Sequence, residues 1–282
     1  MSQVIEDNAD DAPDDNGPHK DIAPIINGWG YEHGTINVRR IVGLDGVPKL
    51  QMRLELGLLQ MEVTGRPDGT RPFGFESLLE YHEHRITEHK QTHSGTLQGF
   101  GLTSDHCQAL REEAAMYYQR YLSLFVIGDF PAVVRDTSRN LRVLDLCGKF
   151  AADEQDKLVL EQYRPYIIMM RTRASATILA KEQKLHQALD LVRDGLAQIR
   201  DFFEKFGHAE AFEQCEEARV LKRFGREIKK KLPVGELERL QRRLKKAVVS
   251  EQYELAATLR DQITAMEVQP KLIQDAGAKG DV

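Results

Sequence analysis

Four histidines crowd one stretch of the chain, at His82, His84, His89 and His93. His89 and His93 are four apart and His82 lies seven before His89, so three imidazoles can share one face of a helix. With Glu83 and Glu88 beside them, that set has the donor types to ligate a transition metal. Against this, His82 borders an apolar stripe and Gly95 follows closely after His93. The reading taken is surface and packing histidines, with no metal ligand assigned. A second constellation, Arg66, Asp68, Arg71 and Glu76, surrounds the turn-rich loop Thr64 to Gly69. It is read as a sheet-to-helix connection with local ion pairs rather than a ligand-binding loop. The cysteines Cys107, Cys147 and Cys215 form no CxxC pair, which argues against a disulfide framework or a zinc site of usual spacing. They are read as reduced, with Cys147 in a core.

Charge is uneven although the net is only -5. Residues 1–21 carry seven acids against Lys20, while residues 222–246 carry eleven Lys or Arg against three acids. Within that basic run, Lys229, Lys230, Lys231, Arg239, Arg242 and Arg243 are candidate contacts for nucleic-acid phosphates or an acidic protein partner. Only Phe224 is near enough to stack on a base, so a solvated helical face competes with both. No apolar run nears the roughly 20 residues that span a bilayer. No basic-then-apolar leader opens the chain, so the cytoplasm is the expected compartment.

The elements that must position these residues are mainly helical. Residues 1–24 read as a disordered acidic tail and 25–101 as a small α+β domain. Residues 102–231 read as a helical domain, 232–268 as a helical hairpin and 269–282 as a flexible tail. Ile36, Val38, Ile41 and Val42 lead into the turn Leu44-Asp45-Gly46-Val47. Leu50, Met52, Leu54 and Leu56 then alternate at period two, the mark of a half-buried strand, and Leu58 to Val63 predicts a third. Such an antiparallel meander must pack on something, and the helix predicted over Phe75 to His89 is the expected partner. Leu102-Thr103-Ser104-Asp105 caps the next helix, which Gly128-Asp129 ends. A second helix is expected to stop at Gly148, a long third to run from Asp153 through Ile178, a fourth to stop at Gly207, and a fifth to span Ala209 to Lys231. The first four read as two antiparallel pairs, weakly resembling a tetratricopeptide-like array, with an ordinary bundle as the alternative.

Pro233 to Glu267 carries the functional reading. Leu237, Leu240, Leu244, Ala247 and Val248 share one helical face. After a break at Ser250 and Glu251, Tyr253, Ala256, Ala257, Leu259, Ile263 and Met266 follow on a second helix. So short a link makes the helices antiparallel neighbours, with the small Ala256-Ala257 pair beneath Leu244 and Val248. The second helix is apolar over more than one stripe, so a single neighbour cannot cover it. The run Leu244, Ala247, Tyr253-Glu254, Ala256-Ala257, Leu259-Arg260-Asp261 and Ile263 resembles the UVR motif of the excision-repair proteins UvrB and UvrC, of ClpC and of McsA. In that family the motif is a helical hairpin for protein–protein contact, including UvrB–UvrC docking. Here Ala247-Val248 stands for the family's aliphatic–Ala-Ala element, and Gln252 for its acid before the aromatic. The resemblance implies partner contact through Leu240, Leu244, Val248, Tyr253, Ala256, Ala257, Leu259, Arg260, Asp261 and Ile263.

No GxxxxGK[ST] phosphate loop accompanies the motif, nor paired zinc cysteines. The expectation is therefore a non-enzymatic adaptor with no cofactor, acting on a protein partner or a second copy of itself, and with no membrane role. A nucleic-acid-binding accessory of excision repair and a metal-binding enzyme of unknown reaction are the alternatives.

Overall fold

A computed structural model describes residues 21–232 and 236–263. Most of the expected acidic tail, together with Pro233, Met266 and the expected tail 269–282, lies outside the described residues. The chain divides into two compact units, one running to Gly225 and one starting at Arg226. The sheet and the helices as far as Gly225 lie in the first unit.

Three strands, β1 (Asn37–Val42), β2 (Pro48–Arg53) and β3 (Leu58–Glu62), form an antiparallel sheet in the order β1-β2-β3. Asp45 shapes the first turn by accepting the Val47 N–H at 3.0 Å, and Gly46 takes the positive φ that the turn needs. The alternation expected through Leu54 and Leu56 stops at Arg53. Leu56 projects from the second turn, 90% exposed, because Leu54 N–H closes onto the Gly57 carbonyl at 2.9 Å. The expected half-buried β2 is instead covered on both faces. Leu50 and Met52 occupy one, while Lys49 and Gln51 are buried on the other. On that second face Lys49 pairs with Asp45 and Glu62, and Gln51 accepts from Arg39 at 2.7 Å. Arg39 in turn stacks on Trp29 and donates to the Ile25 carbonyl. Residues 22–31, including the single turn α1 (Ala23–Ile26), thus supply the missing cover.

The helix α2 (Leu78–Thr92) starts later than its apolar stripe suggests, because Ser77 caps it and Pro72–Gly74 forms a separate 3-10 turn. Then come α3 (Ser104–Val126) and α4 (Phe130–Phe150). Thr103 caps α3 in a reciprocal box with His106, and Asp129 caps α4 after Gly128 turns the chain with φ +78°. Gly148 does not end α4, which continues to Phe150.

The long helix expected from Asp153 is broken. Asp153 caps only α5 (Glu154–Leu158), a 3-10 turn covers Glu161–Tyr163, and α6 (Arg164–Lys181) starts afresh. Pro165 explains the break. It has no N–H to return to a carbonyl one turn earlier, and its ring clashes there, so it fits only the first turn of a new helix. The following α7 (Leu185–Lys205) ends before Gly207 as expected. The last helix of the body, α8 (Glu216–Lys231), starts after a 3-10 turn at Ala209–Glu213 and not at Ala209. The pairs α3–α4, α4–α6 and α6–α7 pack successively. At the α6–α7 crossing a Cβ on Gly195 would lie 2.4 Å from Thr172 Oγ1, so only glycine permits that approach.

Charged groups are built into this core. Arg120 on α3 makes a two-pronged bond to Asp136 on α4 at 2.7 and 2.9 Å, both side chains 1% exposed. The same guanidinium donates to the carbonyls of Glu62 and Gly65, anchoring the end of β3. Glu113 pairs with Arg139 and accepts the Leu78 N–H at 2.8 Å, anchoring the start of α2.

Candidate functional site

In the second unit, α9 (Glu236–Val249) is followed by a break and by α10 (residues 253–263). Ala247, Ala256 and Leu259 form the hairpin's buried cluster, flanked by partly buried Leu240 and Leu244. Ile263 is buried as well. The inward residues on α9 are spaced four and three apart, which keeps them on one stripe. Small side chains at positions 247 and 256 let the helices approach. Ser250 and Gln252 N–H groups return to the carbonyls of Lys246 and Ala247, and Glu251 sits between them at φ +56°. That is the left-handed end of a helix, usually given to glycine.

Val248 departs from the expected packing. It was placed above the Ala256-Ala257 pair, but Ala247 fills that position and Val248 is 52% exposed. One residue turns a helix by about 100°, enough to take Val248 off the inner stripe. Val249, Tyr253 and Leu255 are also exposed. The uncovered apolar surface therefore brackets the turn, on both helices, rather than running along α10 alone. Val249 and Leu255 were not foreseen in the sequence. Their signal was available, because residues flanking a two-helix break have no partner helix to face. Ala257 is intermediate, and Arg260 and Asp261 are exposed.

The predicted contact residues thus split in two. Leu240, Leu244, Ala256, Leu259 and Ile263 hold the helices together. Val248, Tyr253, Arg260 and Asp261 face outwards. Lys229, Lys230 and Lys231 in the last turn of α8 are exposed, as are Arg239, Arg242 and Arg243 on α9. Cations at a helix C-terminus complement its dipole, which accounts for the three lysines without a ligand.

The other constellations make the following contacts. His82 is 2% exposed, edge-on to His106 at 5.0 Å between ring centroids, and burial pushes its pKa down to about 4. His84 pairs with Glu88, whereas His89 stacks on His93 with centroids 3.9 Å apart. Among the described residues no group of three or more His, Cys, Asp or Glu is arranged to hold a metal ion. Arg66 pairs with Asp68 at 3.1 Å and Glu113 at 3.5 Å, so the loop after β3 docks on α3. Arg71 donates to the Gly74 carbonyl at 3.4 Å. Cys107, Cys147 and Cys215 are buried, and burial raises Cys147 to about 12. No helix among the described residues is long and apolar enough to cross a membrane.

Neither a search of curated proteins nor one of solved structures returned a match to this chain. Against protein-family models, residues 235–269, which span both helices and the exposed apolar turn, match the UvrB/uvrC motif.

Proposed function

We propose that the chain is a non-enzymatic adaptor that engages a protein partner through the tip of its C-terminal hairpin. The observation that carries this is the exposed apolar group Val248, Val249, Tyr253 and Leu255, gathered at the turn of the UvrB/uvrC motif. Apolar groups concentrated at one end of a charged hairpin gain by being covered, at roughly 25 cal/mol per Å² of buried apolar area. The exposed Arg239, Arg242 and Arg243 lie on the same helix as Val248 and Val249 and favour an acidic partner surface. The compartment in which this takes place is proposed as the cytoplasm.

The test uses the full chain in its native cell as bait. Val248→Asp with Tyr253→Asp abolishes capture while circular dichroism stays unchanged, because both side chains are exposed. Leu244→Asp with Ala257→Asp abolishes capture by opening the hairpin itself. Equal recovery of the same proteins by wild type and both variants would sink the reading. The nucleic-acid alternative rests on the exposed arginines. It predicts DNA affinity that falls steeply with salt, and no binding at low salt removes it.

A further inference from the structure

The helix break at Pro165 has a second consequence. It leaves a cavity of about 580 Å³ in the body between α3, α4, α6 and the segment 159–163, within the size range of small-molecule sites. Tyr118, Tyr121, Tyr163 and Tyr166 line it. The Tyr118 ring stands at 88° to Tyr121, with centroids 5.4 Å apart, and at 56° to Tyr166 at 6.1 Å. Steeply inclined rings form a corner of π faces rather than a stack.

Charge decides what such a corner takes. Arg111 is the one lining cation and is neutralised by Asp156 at 2.6 Å. Glu217, in the first turn of α8, is the one lining carboxylate. The Cys215 thiol donates to it at 3.0 Å. The cavity therefore sets one carboxylate beside four electron-rich rings, with the Arg173 guanidinium also acting on Tyr166 from outside the lining. We infer that this cavity is a binding site for a small organic cation of the quaternary-ammonium type, held over the tyrosine faces with Glu217 as counter-charge. Burial raises the Tyr166 phenol to about 12. Tyr163, 54% exposed on the 3-10 turn, stands at the mouth.

Isothermal titration of the full chain tests this with choline and with 3,3-dimethyl-1-butanol, its uncharged isostere. Choline is expected to bind at least about tenfold tighter, one decade being the size of a modest cation–π and charge contribution. Glu217→Gln should weaken choline about tenfold and leave the alcohol unchanged, while Tyr163→Ala, at an exposed position where folding is safe, should weaken it severalfold. Tyr118→Phe keeps the π face and should bind choline within about twofold of wild type. Equal affinity for the two probes would make the cavity a plain apolar pocket and overturn the inference. So would absence of choline binding at millimolar concentration, or choline affinity unmoved by both Glu217→Gln and Tyr163→Ala.

Discussion

In the body, Leu110, Leu124, Val133, Leu144 and Ile199 are at most 1% exposed, and even Arg120 and Asp136 are sealed from water. In the hairpin, the buried cluster consists of two alanines and Leu259, while four large apolar residues at the turn stay in solvent. The body seals these groups in a deep core, and its exposed apolar side chains, such as Val42, Leu44, Leu56 and Phe73, are scattered over the sheet turns and loops. The hairpin retains just enough inward packing to keep two helices paired and leaves the remainder outside. A segment whose apolar side chains concentrate where its own fold cannot cover them is suited to being covered by something else.

The sharpest way to break that contrast is at the buried ion pair. Asp136→Ala leaves the Arg120 guanidinium uncompensated in the core and should cost about 3–5 kcal/mol of body stability in urea unfolding. Replacing both partners, Arg120→Met with Asp136→Leu, should recover most of that loss. A single variant near wild type would mean that the pair is not sealed.

Acid probes the same core. His82 has a folded pKa of about 4 against 6.5 when free, with His106, Arg85 and Tyr81 facing it. Between those values the unfolded chain takes up a proton that the folded chain does not. Stability is therefore full above about pH 6.5 and falls as pH drops towards 4, by up to about 3 kcal/mol. In His82→Gln the acid-side slope should flatten by that amount relative to wild type, read from urea midpoints at pH 7 and 4.5.

On the hairpin side, Leu259→Ala removes a leucine that is 1% exposed and should cost about 2–3 kcal/mol locally. Hydrogen exchange should then accelerate across residues 239–263 and stay unchanged across α3 and α4. Coupled acceleration of both regions would erase the distinction between the units. Smallest of these effects, Glu251→Gly relieves a left-handed non-glycine residue and should stabilise the hairpin by about 1 kcal/mol, slowing exchange in the same segment.

Local signals in the sequence carried well where chemistry acts over a few residues. Thr103, Gly128-Asp129 and Gly207 mark helix ends because caps and left-handed turns need those residue types nearby. The hairpin was legible for the same reason, from Ala247, Ala256 and the break at Glu251. The matching of α3 to α4 was not. Arg120, Glu113, Asp136 and Arg139 look like ordinary helix-surface charges until distant segments bring them face to face. Residues 22–31 hid their role because a sequence does not reveal what covers the second face of a strand. Pro165 interrupts an apolar spacing, Tyr163, Ile167 and Ile168, that otherwise reads as one continuous helix from Asp153. At the hairpin, Ala247 and Val248 differ by one residue, which spacing alone does not resolve into an inner and an outer side chain.

The account turns on the hairpin tip touching a partner, and site-specific photo-crosslinking in the native cell tests that directly. A benzophenone amino acid in place of Tyr253 should give discrete crosslinked bands to a protein partner. The same probe at Leu56, still more exposed on the body, should give none. Bands from position 56 with none from position 253 would contradict the account.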